Sequence, residues 1–292
     1  GMNTSYGDVA NPNCGGGTGV FCAGPAGVDL TQLFLSLGYA RKDGALSWGI
    51  APTLAVQAFE ATGLAAFGGI STDPANLTNN GLELSTGIGL KAGLQYEVSP
   101  TLSLGIAGQT KFDMSPFDGY AGLFENSGDF DIPASVTAGL AWKARDDLTL
   151  MTDVQKIFYS GVPAVGNPTT AGPLGAPGGT GFGWDDVEVI RIGAEWNQSP
   201  KMTWRFGYAY ATNPVGPEDV TLNVLAPGIV EHHLTVGGSR ILNERDRIDF
   251  SLAYVPSSSV SGPEVTPGGP TGGTIGLDMH QFSVSVGWSR SF

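Results

Sequence analysis

Large apolar residues alternate with small or polar residues along most of the chain, which is typical of β-strands because successive side chains point to opposite faces. The last stretch is an example: Phe282, Val284, Val286 and Trp288 share one face, while serine, glycine and glutamine line the other. The same alternation, interrupted by turn residues, predicts about eleven strands of about 11 to 17 residues, the first at about 29 to 42. Strands of this length cross a bilayer at a tilt, whereas ordinary strands have about 5 to 6 residues.

The lengths of the connections separate two interpretations of this alternation. In a soluble β-sandwich or lectin-like protein the large face forms the core, but in a transmembrane barrel it meets lipid and the small, polar face lines the lumen. Turns of about three to five residues alternate here with loops of about fifteen to twenty-seven, as in outer-membrane barrels with short periplasmic turns and long extracellular loops. We therefore predict an all-β fold, an antiparallel up-and-down transmembrane β-barrel that forms a single domain over residues 1–292. Residues 1–28 are expected to be an extracellular loop, and 256–275 a further loop.

The tryptophans support the barrel. Five of them lie on the large face and close to a short turn or to the C-terminus: Trp48, Trp142, Trp196, Trp204 and Trp288. Tryptophan is enriched where a membrane meets water, so a ring at one end of the strands is expected of an interfacial girdle. A soluble fold offers no reason for these residues to gather at one end.

Composition points the same way and excludes other classes. Charged residues make up 14% of the chain, against about 25% in globular domains. No apolar run approaches the about 18 residues of a spanning helix, so a membrane would be crossed by strands. The formal net charge is −13 and there is no cluster of lysine and arginine, which argues against nucleic acid as a partner.

The start of the chain and the strand number suggest a missing part. Residues 1–20 have no basic start followed by an apolar stretch, so we expect no signal peptide within this chain. About eleven strands alone would leave two unpaired edges in lipid, and bacterial barrels usually have even strand numbers. We expect the chain to lack an N-terminal part that contains further strands.

Few residues carry recognisable chemistry. Cys14 and Cys22 bracket a glycine-rich segment, and they form either a local disulfide in an oxidising compartment or two free thiols. His232 and His233 are adjacent on a predicted strand and point to opposite faces, so they cannot share a metal or act as a pair. No serine has a justified histidine partner. We expect no enzyme activity, no metal site and no cofactor.

Charged residues on the small face have two interpretations. Seven such residues are predicted to face the lumen: Lys91, Lys143, Asp153, Arg191, Glu195, Arg205 and Asp249. They form ion pairs with one another, because charges away from bulk water are normally paired. Alternatively, some of them contact a carboxylate headgroup, for which Arg191 or Arg205 supplies a two-pronged guanidinium.

Apolar residues in two long loops are the candidate ligand-binding residues. They are Phe59, Leu64, Phe67, Phe117, Tyr120, Leu123 and Phe124. Apolar loop residues at the mouth of a barrel form a binding groove for a hydrophobic ligand, or else they pack on one another and close the top of the barrel.

Several segments together resemble the FadL/TodX family of long-chain fatty acid and hydrocarbon transporters. The resemblance lies in residues 129–133 (DFDIP), 137–141 (TAGLA), 148–155 (LTLMTDVQ), 204–208 (WRFGY), 225–228 (LAPG) and the terminal Gly287, Trp288 and Phe292. It covers most of the chain and depends on the order and spacing of these segments.

The resemblance implies a fourteen-strand barrel, plugged by an N-terminal hatch, in the outer membrane of a Gram-negative-type bacterium. It further implies passive uptake of long-chain fatty acids or aromatic and aliphatic hydrocarbons by a monomer that contacts lipid and lipopolysaccharide. We expect this chain to contain about eleven of these strands and to lack the hatch. Phe292 resembles the terminal aromatic residue that the barrel assembly machinery recognises. The alternatives are a general porin and a structural or adhesin-type barrel.

Overall fold

A computed structural model describes residues 2–266 and 269–291. The strands are β1 (Met2–Tyr6), β2 (Ala26–Ser36), β3 (Tyr39–Asp43), β4 (Leu46–Thr62), β5 (Glu83–Ser99), β6 (Leu102–Gln109), β7 (Asp113–Met114), β8 (Ser135–Arg145), β9 (Leu148–Ile157), β10 (Val187–Ser199), β11 (Met202–Ala211), β12 (His232–Ile241), β13 (Asp246–Thr266) and β14 (Gly269–Arg290). The α-helices are α1 (Glu125–Gly128), α2 (Pro163–Gly166) and α3 (Val220–Asn223), and short 3₁₀ helices also lie in the loops. Among the described residues, no helix has the length and hydropathy needed to span a membrane.

The strands form one antiparallel sheet in which neighbours along the chain are neighbours in space. After a short break, β3 continues β2 and both pair with β4, while β7 continues β6 along β5. With these pieces joined and the short β1 set aside, eleven long strands follow one another, as the sequence predicts. The all-β, antiparallel, up-and-down architecture is therefore confirmed. Within the described residues the sheet is open, because β14 and β1 do not pair.

The two faces of the sheet differ in the way that the alternation predicts. On β4 the large residues Leu46, Trp48 and Ile50 are exposed, and on β14 Val286 and Trp288 are 72% and 62% exposed. A row of large exposed apolar side chains is unfavourable in water but suits contact with lipid. We call this the outer face, and the opposite one, on which the long loops pack, the inner face.

Two stretches predicted as loops contain strands. Residues 2–6 form β1, where Thr4 and Tyr6 donate hydrogen bonds of 2.8 and 2.6 Å to the carbonyl oxygens of Leu225 and Val224. Five residues are too few for alternation to be recognised, and tertiary contacts decide the conformation. The predicted first strand also begins earlier, at Ala26.

Residues 256–266 and 269–275 extend β13 and β14 and continue their antiparallel pairing, with register shifts between Val255 and Ser258 and between Pro263 and Val265. Their small and polar residues give no apolar alternation, so backbone pairing rather than side-chain pattern determines these extensions. The predicted role of Phe292 lies outside the described residues.

The packed core lies at the end of the sheet that carries the long loops, which we call the long-loop end. Its buried members come from the N-terminal loop, from the parts of β2, β4 and β14 nearest to the long loops, and from the loops that follow β4, β7, β9 and β11. Towards the other end, the short-turn end, the inner face carries mostly glycine, alanine, serine and threonine. The sheet is thus filled at one end and hollow at the other.

Candidate hydrophobic passage

The seven apolar residues predicted to bind a ligand come together in this core. Phe117 and Tyr120 are fully buried, and the most exposed of the seven, Leu123, is 8% exposed. Phe59 lies on the inner face of β4, and its ring centroid is 4.8 to 5.6 Å from those of Phe117, Tyr120 and Phe124. The two loops therefore pack on the sheet and on each other, as expected if they close the top of the barrel. Direct contact of these residues with a ligand stays a prediction.

Hydrogen bonds hold the loop after β6 in this position. The Tyr120 hydroxyl donates to the carbonyl oxygen of Gly81 (2.6 Å) and accepts from the backbone N–H of Ala61 (3.1 Å). The N–H of Phe117 donates to the carbonyl oxygen of Gly128 (2.9 Å), where the chain turns with a φ of +114°. A Cβ at Gly128 would lie 2.4 Å from the Phe117 carbonyl oxygen, so only glycine fits at this closure.

The N-terminal loop is attached to the same core. Cys14 and Cys22 are joined in a disulfide. The residue before Cys22, Phe21, is buried, and its ring lies edge-on to that of Phe67 with centroids 5.0 Å apart. The disulfide thus closes the glycine-rich segment directly beside an aromatic anchor of the core.

Below the core, a cavity of about 410 Å³ lies between the inner face and the loops. Five aromatic side chains line it: Phe34, Phe130, Tyr159, Phe182 and Trp184. Its volume falls within the about 300 to 1,000 Å³ of small-molecule sites, which are concave and mostly apolar. Of these residues the sequence predicted only the segment around Phe130, and it did so through the family resemblance. The available signal was Trp184, the one tryptophan that lies away from the girdle.

Trp184 is held rigidly in the cavity wall. Its indole N–H donates a 2.6 Å hydrogen bond to the side-chain oxygen of Asn223, which is fully buried. Tyr159 stands edge-on to the indole with centroids 4.9 Å apart, and burial raises the pKa of its phenol. Gly228 passes so close that a Cβ there would lie 2.6 Å from the indole ring. A fixed aromatic wall gives an incoming apolar ligand a preformed surface.

The polar residues of the cavity carry little charge. Gln32 donates to Gln57 (2.9 Å), and Gln109 donates to the carbonyl oxygen of Pro133 (3.0 Å), so the amides are engaged within the protein. Among the described lining residues the only ionisable group that is charged at neutral pH is Asp131, and it forms an ion pair with Lys111. The cavity therefore offers apolar surface and neutral polar groups.

Two open recesses on the inner face lie between the cavity and the short-turn end. A recess of about 600 Å³ on the inner face shares Gln109 and Ser135 with the cavity. A second recess, of about 580 Å³, shares Gly49, Gly93 and Thr137 with the first. Most of the residues that line both recesses are small, and both recesses are open because the sheet is not closed within the described residues.

Six of the seven predicted lumen charges take part in ion pairs. The Arg191 guanidinium donates to Asp153 (2.8 Å) and also to Gln155. The Arg205 guanidinium donates to Glu195 (2.7 Å) and Ser239 (2.8 Å). The remaining pairs join Lys143 to Asp146 and Asp249 to Arg247, both at 3.0 Å. These six charges are thus paired, as the first of the two interpretations predicts. Both guanidinium groups already donate hydrogen bonds to side chains of the protein.

Lys91 differs from the other six. In the part of the chain that the structure describes, it forms no ion pair, and its ammonium lies 4.8 Å from the ring centroid of Phe34.

The histidines make no catalytic arrangement. His232 hydrogen-bonds to the Tyr208 hydroxyl (2.8 Å), whereas His233, next to it on β12, points to the opposite face. Within residues 2–266 and 269–291, no group of three histidine, cysteine, aspartate or glutamate residues is arranged to hold a metal ion.

Several solved structures are similar to this one. The toluene transporter TodX of Pseudomonas putida has a TM-score of 0.68 at 16% sequence identity, over 100% of this chain and 77% of that chain. The toluene transporter TbuX of Ralstonia pickettii has a TM-score of 0.56 at 20% identity, over 90% and 68%. A FadL homologue of Pseudomonas aeruginosa has a TM-score of 0.61 at 16% identity, over 98% and 73%.

These similarities show that the chain shares its fold with these proteins. No protein-family model and no curated protein sequence matches the chain.

Proposed function

We propose that this protein carries hydrophobic small molecules passively across the outer membrane of a Gram-negative-type bacterium. The long-loop end faces the outside and the short turns face the periplasm, which matches the asymmetry of outer-membrane barrels. The outer face contacts lipid and, at its extracellular rim, lipopolysaccharide. The protein acts as a monomer without a cofactor.

One observation carries this proposal: an aromatic cavity closed by loops continues into a hollow lined by small residues. A hydrophobic molecule gains free energy when it leaves water for such a cavity. The hollow below then gives it a route to the periplasmic side. Two of the proteins of similar fold are described as toluene transporters, which supports a hydrophobic substrate.

The chemistry of the cavity favours neutral substrates. Asp131, the only charged group among the described residues of its lining, is paired with Lys111, and the remaining polar groups of that lining are neutral. An aromatic or aliphatic hydrocarbon carries no charge, so its entry requires no desolvation of a charged group. The entry of an unpaired carboxylate into an apolar site costs roughly several kcal/mol of lost hydration. We propose aromatic hydrocarbons as the best-fitting class. The apolar loop residues Phe59, Leu64, Phe67, Phe117, Tyr120, Leu123 and Phe124 are proposed to form the entrance above the cavity.

A substitution that fills the cavity tests the proposal. Ser135→Trp places an indole where the cavity meets the first recess, and Ser251→Trp makes the same change on the inner face of β13, away from the cavity. Binding of toluene is measured by fluorescence with the purified protein, and its uptake is measured in cells that lack other uptake proteins. We expect Ser135→Trp to reduce binding and uptake at least about tenfold. We expect Ser251→Trp to leave both within about twofold, because a substitution away from the site usually has a small effect.

The same protein in planar bilayers distinguishes the porin alternative. A general porin conducts ions steadily and does not bind toluene. Steady conductance together with an absence of toluene binding by the unaltered protein would overturn the proposal.

A further inference from the structure

Arg240 is a charged residue in an otherwise apolar row of the outer face. Strand register places it between Met202 of β11 and Ile248 of β13, and Ile248 lies opposite Trp288 of β14. The preceding residue, Ser239, hydrogen-bonds to the paired charges of the inner face. Because successive side chains of a strand point to opposite faces, Arg240 lies on the outer face. It is therefore at the level of the tryptophan girdle, near the short-turn end.

The guanidinium of Arg240 has no partner within the chain. Among the described residues its side chain forms neither an ion pair nor a hydrogen bond, and it is exposed. Three arginines of the inner face differ from it, since Arg191, Arg205 and Arg247 each contact a carboxylate at 2.7 to 3.0 Å. A guanidinium next to apolar side chains is thus left without an acceptor, so an acceptor has to come from another molecule.

Two more basic residues lie in the turns that flank the end of β12. Lys201 is in the turn before β11, and its carbonyl oxygen accepts a 2.9 Å hydrogen bond from the N–H of Ile241, the residue after Arg240. Arg245 is in the turn between β12 and β13. Neither side chain forms an ion pair in the part of the chain that the structure describes.

The acidic residues of this end do not neutralise the three cations. Asp246 accepts a 2.9 Å hydrogen bond from Asn243 and also lies 3.8 Å from Arg290, so it is already engaged. The remaining acid is Glu244, beside Arg245 in the turn. This part of the rim is therefore positively charged, although the net charge of the chain is −13.

An aromatic surface adjoins Arg240 on the same face. Register places Gly238, two residues before it, between Trp204 and Phe250, whose rings are edge-on with centroids 5.5 Å apart. A Cβ at Gly238 would lie 2.9 Å from the Phe250 ring, so glycine allows the two rings to meet. A cation at the rim thus stands next to an exposed apolar and aromatic surface, which is the arrangement of charge and apolar groups that a phospholipid complements.

We propose that Arg240 binds the phosphate group of an anionic phospholipid, whose acyl chains lie against Met202, Ile248 and the Trp204 and Phe250 rings. The inference rests on the proposed function, which places the outer face in the membrane and the short turns at the periplasmic leaflet. A guanidinium donates two parallel, charge-assisted hydrogen bonds to phosphate oxygens. The long side chain of an arginine near a strand end reaches the headgroup level, where the phosphate lies.

Native mass spectrometry tests this site. The purified protein in a maltoside detergent is titrated with phosphatidylglycerol, and the fraction that retains one lipid is measured. We expect Arg240→Gln to weaken retention about fivefold, equivalent to about 1 kcal/mol for one basic residue at an anionic lipid surface. Arg145→Gln is the control, because Arg145 lies in a turn at the same end and is already paired with Asp147. It should leave retention within about twofold, since exposed pairs contribute little.

Further measurements exclude a structural effect and other occupants. Heat-modifiable mobility shows that each variant is folded. If Arg240→Gln does not fold, Arg240→Lys takes its place and should weaken retention about twofold, because an ammonium keeps the charge but loses the two-pronged contact. Inorganic phosphate should not displace the lipid at equal concentration, because it has no acyl chains. Displacement would assign the site to a free anion, and a dimer signal that disappears with Arg240→Gln would assign the surface to a second copy of the chain. Either result would overturn the proposal.

Toluene binding by the same preparations separates this inference from the proposed function. Arg240→Gln should bind toluene as the unaltered protein does, because Arg240 lies on the opposite face of the sheet from the cavity. If the unaltered protein does not bind toluene, the proposed function fails. If it binds toluene and Arg240→Gln retains phosphatidylglycerol as well as the control does, the lipid site is wrong while the proposed function stands.

Discussion

The ring of Tyr120 stands edge-on to the ring of Phe59, with centroids 4.9 Å apart and planes at 82°. Tyr120 belongs to the loop after β6 and Phe59 to the inner face of β4, so this contact joins a loop to the wall. Edge-to-face pairs add about 0.5 to 1.5 kcal/mol beyond the area they bury. The closure of the long-loop end thus depends on a few aromatic contacts and on the hydrogen bonds of the Tyr120 hydroxyl.

Tyr120→Phe is expected to loosen the loop without changing the wall. The substitution leaves the backbone N–H of Ala61 and the carbonyl of Gly81 without their partner, which costs about 1 to 3 kcal/mol for buried groups. Hydrogen exchange at the Ala61 amide should accelerate accordingly. Tyr96→Phe, on the outer face where the ring is 52% exposed, is the matched control and should change nothing. Equal exchange in both variants would contradict the role given to the hydroxyl.

High pH should open the same loop. Burial raises the pKa of the Tyr120 phenol above its ordinary value of 10.0. A raised pKa in the folded state means that the stabilisation is complete below the unfolded value and is lost as the pH rises through the folded value. We therefore expect loop opening, measured by hydrogen exchange or protease sensitivity, to increase above about pH 10. Tyr120→Phe should remove this part of the pH dependence.

The disulfide is expected to protect the N-terminal loop. Closing a loop of this size restricts the unfolded segment by about 2 to 3 kcal/mol in the chain-entropy model. Replacing both Cys14 and Cys22 by serine should therefore make residues 15–21 sensitive to protease and release Phe21 from Phe67. Fragment masses after limited proteolysis give the readout. Cleavage at the same rate as in the unaltered protein would show that Phe21 alone holds the loop.

Removing Arg191 should destabilise the wall by leaving a carboxylate unpaired. Arg191→Met takes the partner from Asp153 on the half-buried inner face, and we expect a loss of about 1 to 3 kcal/mol in urea unfolding. Adding Asp153→Asn should recover most of it, because no charge then remains unpaired. The control is Arg145→Met, whose pair with Asp147 is exposed in a turn and is worth about 0 to 1 kcal/mol. An equal loss in both single variants would contradict this assignment.

The sequence alone determined which strand residues lie on each face of the sheet. Side chains on a strand alternate with a period of two whatever the partner strands are, so Leu46, Trp48 and Ile50 fall on one face in any antiparallel sheet. The lengths of the turns and loops then fixed the up-and-down order. The apolar residues of the loops were also recognisable, but their composition fits a binding groove and a packed lid equally well, and only their burial in the structure distinguishes the two arrangements.

Only the tertiary structure decided the cavity and the pairing of the inner-face charges. Phe34 comes from β2, and Phe130, Tyr159, Trp184 and Ala226 come from three different loops, so no local pattern links them. The sequence shows which inner-face positions carry a charge, but strand register decides which of these charges are neighbours.

Arg191 lies beside Asp153, whereas Lys91 lies between Ala51 and Gln109. Register is a relation between strands, so it determines which lysine is left for the ring of Phe34, and the residues of a single strand cannot specify it.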